Sequence, residues 1–488
     1  MCTERGSNDI IHGRGVSSGE LQLSTFRMWT GRASGRAALQ RRVCCGRWLW
    51  SSLGRWSMHI HVVGLGAVGS FVAFHLRRTL APKHSVYALH RLDTAPAISQ
   101  RPHGWSVLLE SEGVTHTQDG IMHLSYHPWH YYPSGSIRFA HWDPSRRRDL
   151  ELPLSRPDDP HRLHHATHPI DSLIVTTKAY AVPDVLHGLR SLISRDTTIV
   201  LLHNGMGVYE KLTQSLFRDP HDRPNFVLCT NTHGLYRKDL MHTVQTGYGE
   251  IQLGIAPDPL GRNFEAALAR EPQESLVPEL SLDDIADPVD GASPRYLNLR
   301  NTIAALTGAR ALCATWRPYR DVQTALRKKL VVNAFVNPVS ALMQCKNGEV
   351  LKSSHGVWIM KRLCQEAESI FRAELSAMNK AQQVAYEQFM ENREDIDETI
   401  APPEPLPYPR GLTKSALQTE TARVVEQTKH NYSSMYRDVN LGQRTEIEYI
   451  NGYLHHLARQ YDQPAFVNEM LYQLVKMRTT IPYVGKPT

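Results

Sequence analysis

The chain has 488 residues, of which 41% are hydrophobic and 21% charged, a composition typical of a globular protein with roughly two to three domains. These values exclude a disordered chain, a collagen and a disulfide-stapled mini-protein. Most of the net charge of +7 comes from residues 1–57, where nine arginines face three acidic residues. The nearly neutral remainder gives no indication of a nucleic-acid partner.

The leader, residues 1–57, lacks the patterns of a segment that folds alone. From Leu21 onward it contains Arg and Ser but no acidic residue, as mitochondrial presequences do. One alternative is a disordered extension. The other is a stretch absent from the working protein, since Met58 directly precedes the first predicted strand. The seven cysteines have no C-x-x-C spacing and suit a reducing compartment. We therefore expect a cytoplasmic or mitochondrial protein.

Short apolar segments separated by helical stretches predict a parallel α/β sheet in residues 58–316. The predicted strands are His59–Val63, Ser85–Leu89, Asp171–Thr177 and Thr198–Leu202. A helix follows the first strand and runs through Leu76. The longest apolar stretch, Val62–Phe74, is too short to cross a bilayer, so we expect no membrane span.

Two stretches of this half are longer than a sheet crossover needs. The first, near residues 111–168, is rich in His, but its histidine spacings fit no standard metal-ligand pattern. We therefore favour an exposed insertion over a metal site. The second, near residues 256–295, is acidic and Pro-rich and predicts a surface loop.

Helical patterns replace strand patterns in residues 317–480. The predicted helices are Ala325–Met343, Val357–Met378, Ala416–Thr428 and Thr445–Tyr461. Consecutive prolines predict a loop near residues 390–412, because proline cannot donate a helical hydrogen bond. The sequence thus predicts an N-terminal Rossmann domain (α/β) followed by an all-helical C-terminal domain.

A glycine-rich turn follows the first predicted strand and opens the apolar helix. Its residues are Gly64, Leu65, Gly66, Ala67, Val68 and Gly69. In this context the three glycines permit a tight turn, the close approach of a pyrophosphate and the packing of helix on strand. The free N–H groups of the helix can then hold phosphate. We interpret the turn as a dinucleotide site, with a glycine-rich turn that binds nothing as the alternative.

Three further positions follow predicted strands. Arg91 follows the second strand, where a cation can pair with the extra phosphate of NADP, so we favour NADP over NAD; a solvated surface arginine is the alternative. Lys178 and Asn204 follow the next two strands. Because ligands of open α/β sheets bind beyond the carboxyl ends of strands, both can contact cofactor or substrate, although ordinary turn residues fit equally well. The glycines after Asn204 suggest a turn that touches the ligand.

A polar stripe runs along an otherwise apolar helix of the second half. Lys329, Asn333 and Asn337 recur every four residues, so they share one face. Burying such groups without partners costs about 1–3 kcal/mol each, and the stripe therefore needs a polar occupant. The alternative is that Lys329 reaches solvent while the amides bond to loop carbonyls. Farther on, Ser434 is a candidate helix N-cap, and Glu446 faces away from the apolar side of its predicted helix; on spacing alone, both segments also fit ordinary helix structure.

Together these motifs resemble the ketopantoate reductase (2-dehydropantoate 2-reductase) family in its long, fungal-type form. The resemblance spans most of residues 58–480 apart from the insertions. It rests on the glycine-rich turn, Lys178, H-N-G-M-G (203–207), K-L-V-V-N-A-F-V-N-P (329–338), C-K-N-G-E (345–349), N-Y-S-S-M (431–435) and R-T-E-I-E-Y-I-N-G (444–452). It implies a helical domain like the C-terminal domain of 6-phosphogluconate dehydrogenase.

The resemblance also implies NADPH-dependent reduction of 2-dehydropantoate to (R)-pantoate, on the pathway to pantothenate and coenzyme A, with Lys329 as proton donor. The implied cofactor contacts are residues 64–69, Arg91, Lys178, Asn204 and Glu446. The implied substrate contacts are Asn333, Asn337, Asn347, Asn431, Ser433 and Ser434. The expected partner is a small 2-oxo acid, with a homodimer left open. The alternatives are a reductase of another branched 2-oxo acid and a non-catalytic NADP-binding regulator.

Overall fold

The computed structural model describes residues 57–91, 94, 97–98, 100–126, 164–269, 279–287, 293–391 and 401–481. All of them lie in one compact unit, Ser51–Thr488. Apart from Ser57, the leader lies outside the described residues. So do residues 127–163 of the first predicted insertion and parts of the other two predicted loops.

Thirteen strands and eleven α-helices make up the described part of the chain. In chain order the strands are β1 (His59–Val63), β2 (Ser85–Arg91), β3 (Val107–Ser111), β4 (Val114–Gln118), β5 (Met122–Tyr126), β6 (His164–His165), β7 (Ser172–Val175), β8 (Thr198–Leu201), β9 (Asn225–Asn231), β10 (Gly234–Asp239), β11 (His242–Gly247), β12 (Ile251–Ile255) and β13 (Ala314–Trp316). The helices are α1 (Ala67–Thr79), α2 (Val182–Gly188), α3 (Val208–Ser215), α4 (Leu282–Ile285), α5 (Pro294–Gly308), α6 (Tyr319–Met343), α7 (Ser354–Glu391), α8 (Lys414–Gln427), α9 (Ser434–Asn440), α10 (Asn451–Gln460) and α11 (Phe466–Thr480).

The larger sheet has the order β13-β12-β9-β8-β7-β1-β2-β5-β6. From β9 through β6 all neighbouring strands are parallel, and the register places His61 opposite both Tyr87 and Leu173. From β1 the chain moves first to β2 and β5 on one side and later to β7, β8 and β9 on the other. This reversal is the switch point of a doubly wound sheet, where ligands bind at the carboxyl ends of strands.

A second, four-stranded sheet with the order β10-β11-β3-β4 covers helix α1. Thr243 of β11 donates a hydrogen bond to the carbonyl of Ala67 at the start of that helix, at 3.1 Å. The sequence did not predict this sheet, because its central pair, β3 and β11, joins segments that lie far apart in the chain. Strands β4 and β5 lie in the first part of the predicted insertion near residues 111–168, and each pairs with a strand of one of the two sheets. The insertion itself stays a prediction.

The acidic stretch near residues 256–295 is anchored in the protein rather than being only a surface loop. The buried carboxylate of Asp258 pairs with the buried guanidinium of Arg295 at 3.1 Å and accepts a hydrogen bond from the hydroxyl of Tyr296 at 2.8 Å. Asp284 accepts from the backbone N–H of Ala267 at 2.8 Å. These acidic residues thus join distant parts of the segment to one another. Arg295 fixes the segment to the sheet domain, because its guanidinium donates to the carbonyls of Arg195 and Arg223 at 2.9 and 2.6 Å.

The second half is helical, as predicted, and α6 lies at its centre, in contact with α7, α8, α9 and α11. Its apolar positions form one core with those of the surrounding helices. The predicted helix Thr445–Tyr461 is wrong at its start: Ile447–Tyr449 is a 3-10 turn, and α10 begins at Asn451 because Ile450 has non-helical backbone angles (φ −112°, ψ −92°). Helix α11 was not predicted.

Candidate active site

A cleft of about 720 Å³ lies between the carboxyl ends of the parallel strands and the helical half. The glycine-rich turn, Arg91, Lys178 and Asn204 line it from the sheet side. Lys329 of α6, residues of α9 and Glu446 line it from the helical side. The cleft thus brings together side chains that are distant in the sequence.

The three glycines of the turn have three different surroundings. A Cβ atom on Gly64, whose φ is +92°, would lie 2.6 Å from the backbone nitrogen of Thr177, and one on Gly69 would collide with the Gly64 carbonyl. Beside Gly66 the space is open, because the nearest heavy atom to such a Cβ would be 3.9 Å away. Gly64 and Gly69 are therefore required by packing, whereas Gly66 leaves room for a ligand.

Helix α1 starts at this open position without a competing cap. Its N-cap, Gly66, offers no side chain to the free N–H groups, and its first turn contains no acidic residue. These groups and the positive end of the helix dipole therefore face the cleft, which suits a pyrophosphate. Arg91, the last residue of β2, lines the same cleft with an exposed side chain. The residues present fit a dinucleotide, and the arginine fits one that carries an additional phosphate.

Lys178 is held by carboxylates from the helical half. Its ammonium donates to Asp438 at 2.8 Å and lies 3.5 Å from Glu446. Burial lowers the pKa of Lys178, but Glu446 and Asp438 raise it more strongly, so its pKa lies above the usual value. Lys178 therefore stays charged at neutral pH and joins the two sides of the cleft.

Glu446 is a second link between the two halves. Its side chain is buried, and one carboxylate oxygen accepts from the backbone N–H of Ala179 at 2.9 Å while the other faces Lys178. The prediction that Glu446 lies at the cofactor side of the site remains a prediction, but its carboxylate does line the cleft.

Asn204 lines the cleft, and the glycines that follow it face the helical half. A Cβ on Gly205, whose φ is +81°, would lie 2.6 Å from the carbonyl oxygen of Tyr449, and one on Gly207 would lie 2.8 Å from the ring of Tyr453. Both neighbours belong to the helical half. These glycines therefore let the two halves pack closely, and the expectation that the turn touches the ligand stays a prediction that depends on Asn204.

Lys329 projects from α6 toward the sheet. Its ammonium donates to the carbonyl of Asn231, at the end of β9, at 2.8 Å. Burial lowers its pKa to about 8, and the Glu446 carboxylate opposes this shift. The ammonium is thus bound inside the cleft, whereas the alternative interpretation directed it outward to solvent. An ammonium with this pKa can give up a proton near neutral pH.

The predicted substrate residues fall into two groups. Among the described residues, Ser434 alone of the six lines this cleft. Asn333 and Asn337 continue the face of Lys329 along α6, with Asn337 buried and Asn333 half-buried. In the described part of the chain their side-chain amides have no hydrogen-bond partner.

The other three predicted substrate residues support local structure. The side chain of Asn347 donates to Thr428 at 3.1 Å, and its backbone N–H donates to the carbonyl of the exposed Asn431 at 3.0 Å. Ser433, rather than Ser434, is the N-cap of α9. Its hydroxyl accepts from the backbone N–H of Tyr436 at 3.0 Å. Ser434 cannot be the cap because it is the first helical residue, and the cap precedes that residue.

Sequence reasoning missed two residues of the site. Asp438 follows Ser434 by four residues, so both share one face of α9, and a helical reading of this segment would have found it. Asn231 ends β9, a strand parallel to its neighbour β8, and therefore lies at the same sheet edge as Lys178 and Asn204. The strand itself had not been predicted.

Two family models match the chain. The model described as "Ketopantoate reductase PanE/ApbA" matches residues 130–258, and the one described as "Ketopantoate reductase PanE/ApbA C terminal" matches residues 321–479. Together the two matches span more than half of the 488 residues.

Curated relatives cover a similar share. The chain is 25% identical to a 2-dehydropantoate 2-reductase of Saccharomyces cerevisiae over 428 residues, which are 86% of this chain and 94% of the yeast protein. It is 28% identical to a 2-dehydropantoate 2-reductase of Vibrio cholerae over 329 residues, which are 67% of this chain and 83% of that protein.

Solved structures share the fold. A 2-dehydropantoate 2-reductase from Methylococcus capsulatus aligns with a TM-score of 0.52 at 19% identity, over 88% of this chain and 100% of that one. A ternary structure of D-mandelate dehydrogenase with NADH and anilino(oxo)acetate aligns with a TM-score of 0.55 at 16% identity, over 87% and 99%. The predicted fold class is thereby confirmed. In the described residues no helix combines the length and apolarity that a membrane span needs.

Proposed function

The chain belongs to the ketopantoate reductase family, and on this premise we propose that it reduces 2-dehydropantoate to (R)-pantoate with NADPH, a step toward pantothenate and coenzyme A. The observation that carries the proposal is that the glycine-rich turn and the Lys329 ammonium line one cleft. A nucleotide bound on the turn and a carbonyl polarised by the ammonium can therefore meet.

The turn of residues 64–69 and the start of α1 would hold the pyrophosphate, and Arg91 the phosphate that distinguishes NADP from NAD. Lys178, Asn204 and Glu446 line the cleft farther along the sheet edge and would contact the remainder of the cofactor. When bound, NADPH supplies the hydride that the reduction needs. The same turn would accept NADH, so the preference for NADPH depends on Arg91.

Lys329 has the chemistry of the proton donor. Hydride addition to a ketone builds negative charge on the carbonyl oxygen, and a nearby ammonium both stabilises that charge and delivers the proton. With a pKa of about 8, Lys329 is protonated in most molecules at neutral pH and releases its proton more readily than an ordinary lysine. Its hydrogen bond to Asn231 keeps the ammonium directed at the sheet edge.

For the oxo acid we propose contacts from Ser434, Asn333 and Asn337. Ser434 lines the cleft, and the two amides extend from Lys329 with free hydrogen-bonding capacity within the described structure. Ser433 and Asn347 have protein partners, so they would shape the substrate side by holding α9 and the loop that contains Asn431.

The test is NADPH consumption with 2-dehydropantoate, comparing the wild type with Lys329→Ala and with Lys328→Ala as the matched control. We expect Lys329→Ala to lower kcat by about 100- to 10,000-fold, as loss of a general acid does, and Lys328→Ala to leave it unchanged. An active Lys329→Ala variant would refute the proton-donor assignment. Turnover of another branched 2-oxo acid alone would identify a different reductase, and NADPH binding without any turnover would identify a regulator.

We further propose a cytoplasmic or mitochondrial location, because residues 1–57 are Arg-rich and poor in acids. Sequencing the N-terminus of the mature protein distinguishes the two, since import into mitochondria would remove the leader. Light scattering of the purified protein tests the homodimer.

A further inference from the structure

Pro338 interrupts the hydrogen bonds of α6 within the turn that carries the polar stripe. Proline has no N–H, so the carbonyl of Ala334, four residues earlier, lacks its usual helical partner. Ala334 is fully buried. Because a buried carbonyl without a donor is costly, another group has to supply one. The turn concerned is the one between Asn333 and Asn337.

The donor is the side chain of Asn451. Its Nδ2 lies 2.9 Å from the Ala334 carbonyl oxygen, and the residue is fully buried. The second hydrogen of the same nitrogen faces Oδ1 of Asn468 at 3.3 Å. Two acceptors on one nitrogen fix the orientation of the amide, because the flipped amide would place an oxygen against both of them.

Asn468 is itself held in place. Its side chain donates to Glu366 of α7 at 2.9 Å, and the same carboxylate accepts from the backbone N–H groups of Val467 and Asn468 at the start of α11. Asn451 therefore connects the interrupted turn of α6 to a fixed point in the helical core.

Asn451 is also the first residue of α10, five positions after Glu446. We propose that Asn451 is a positioning residue: by replacing the hydrogen bond that Pro338 removes, it fixes the turn with Asn333 and Asn337 relative to Lys329 and to the segment of Glu446. This inference rests on the proposed function, because it concerns how the oxo acid is held. A purely structural role would affect the folded protein as a whole rather than the substrate side alone.

The experiment is a double-mutant cycle of Asn451→Ala and Pro338→Ala. In the wild-type background we expect Asn451→Ala to raise KM for 2-dehydropantoate about tenfold, the effect of losing one buried hydrogen bond, while the Kd of NADPH stays within about twofold. Pro338→Ala restores a backbone N–H for the Ala334 carbonyl. In that background the same Asn451→Ala substitution should therefore raise KM less than about threefold.

Asn468→Ala is the comparison variant, because it removes the group that orients the Asn451 amide but leaves the donor to the Ala334 carbonyl in place. We expect it to lower the thermal unfolding temperature and to raise KM by less than about threefold, clearly less than Asn451→Ala does. Equal effects of Asn451→Ala in both backgrounds, or an equal rise of KM in Asn468→Ala, would overturn the proposal. If Asn451→Ala alone does not fold, the double variant compared with Pro338→Ala decides: a near-equal KM supports the proposal, and an unfolded or weakly binding double variant overturns it. Failure of the proposed function would be visible separately, as a wild type without turnover.

Discussion

Replacing the carboxylate of Glu446 should shift the pKa of Lys329 in a direction that the structure determines. Burial lowers this pKa to about 8, and the negative charge of Glu446 opposes the shift. The substitution Glu446→Gln removes that charge but keeps a carbonyl oxygen that can accept from the Ala179 N–H. We therefore expect the pKa of Lys329 to fall further in the variant, because burial then acts with less opposition.

The size of the effect follows from the titration of a single group. Above its pKa the fraction of protonated Lys329 falls about tenfold for each pH unit, and kcat/KM for the reduction should fall in proportion. If Glu446→Gln lowers the pKa by about one unit, the protonated fraction at pH 8 drops from about one half to about one tenth. The alkaline limb of the profile should thus begin about one pH unit lower than in the wild type.

The assay is kcat/KM for 2-dehydropantoate against pH at saturating NADPH, with Glu448→Gln as the control. Glu448 lies two residues farther on and pairs with Arg444 at 2.6 Å and Lys476 at 2.7 Å, so its loss should leave the limb where it was. The level of activity will also fall in Glu446→Gln because the ion pair with Lys178 is lost. Only the pH at which the alkaline limb begins reports the pKa of Lys329. A limb that stays in place or moves to higher pH would refute the electrostatic reasoning.

Two further predictions concern the cofactor and the contact between the halves. Arg91→Ala should raise KM for NADPH at least about tenfold and KM for NADH much less, because a charge-assisted hydrogen bond to the additional phosphate is lost; equal rises would contradict this. In Gly205→Ala the new methyl group collides with the helical half, and the residue must also keep a positive φ. In Gly442→Ala, at φ +63° with no atom within 4 Å, only the positive φ is unfavourable. Thermal unfolding should show a loss of about 1–2 kcal/mol for Gly442→Ala and a clearly larger loss for Gly205→Ala, and equal losses would contradict the packing role.

Local patterns predicted the parts of the site that depend on local geometry. The glycine-rich turn was recognisable because its three glycines meet requirements set by the adjacent strand and helix. The stripe of Lys329, Asn333 and Asn337 was recognisable because a helix repeats its faces every three to four residues, and Lys329 of this stripe lines the cleft. In both cases the physical cause lies within about a dozen residues of the chain.

The features that depend on contacts between distant segments were not predictable in this way. Nothing near Gly205 in the sequence indicates that Tyr449 packs on it, and β3 shows no sign of its partner β11. The N-cap was assigned one residue late for a different reason. Ser433 and Ser434 have the same side chain, and only the backbone angles decide which of two adjacent hydroxyls precedes the helix.

Two lysines from opposite halves of the chain share the influence of one carboxylate, and the structure separates their roles. Lys178 lies against both Asp438 and Glu446, so its pKa is above the usual value and it remains a cation throughout the physiological range. Lys329 donates a hydrogen bond to a neutral carbonyl. The Glu446 carboxylate only partly offsets the lowering of its pKa by burial, so this pKa is about 8. A cation fixed between two carboxylates suits a link between the two halves, and a titrating lysine suits proton transfer. The neighbouring groups, rather than the residue type, therefore determine which lysine can act as the acid.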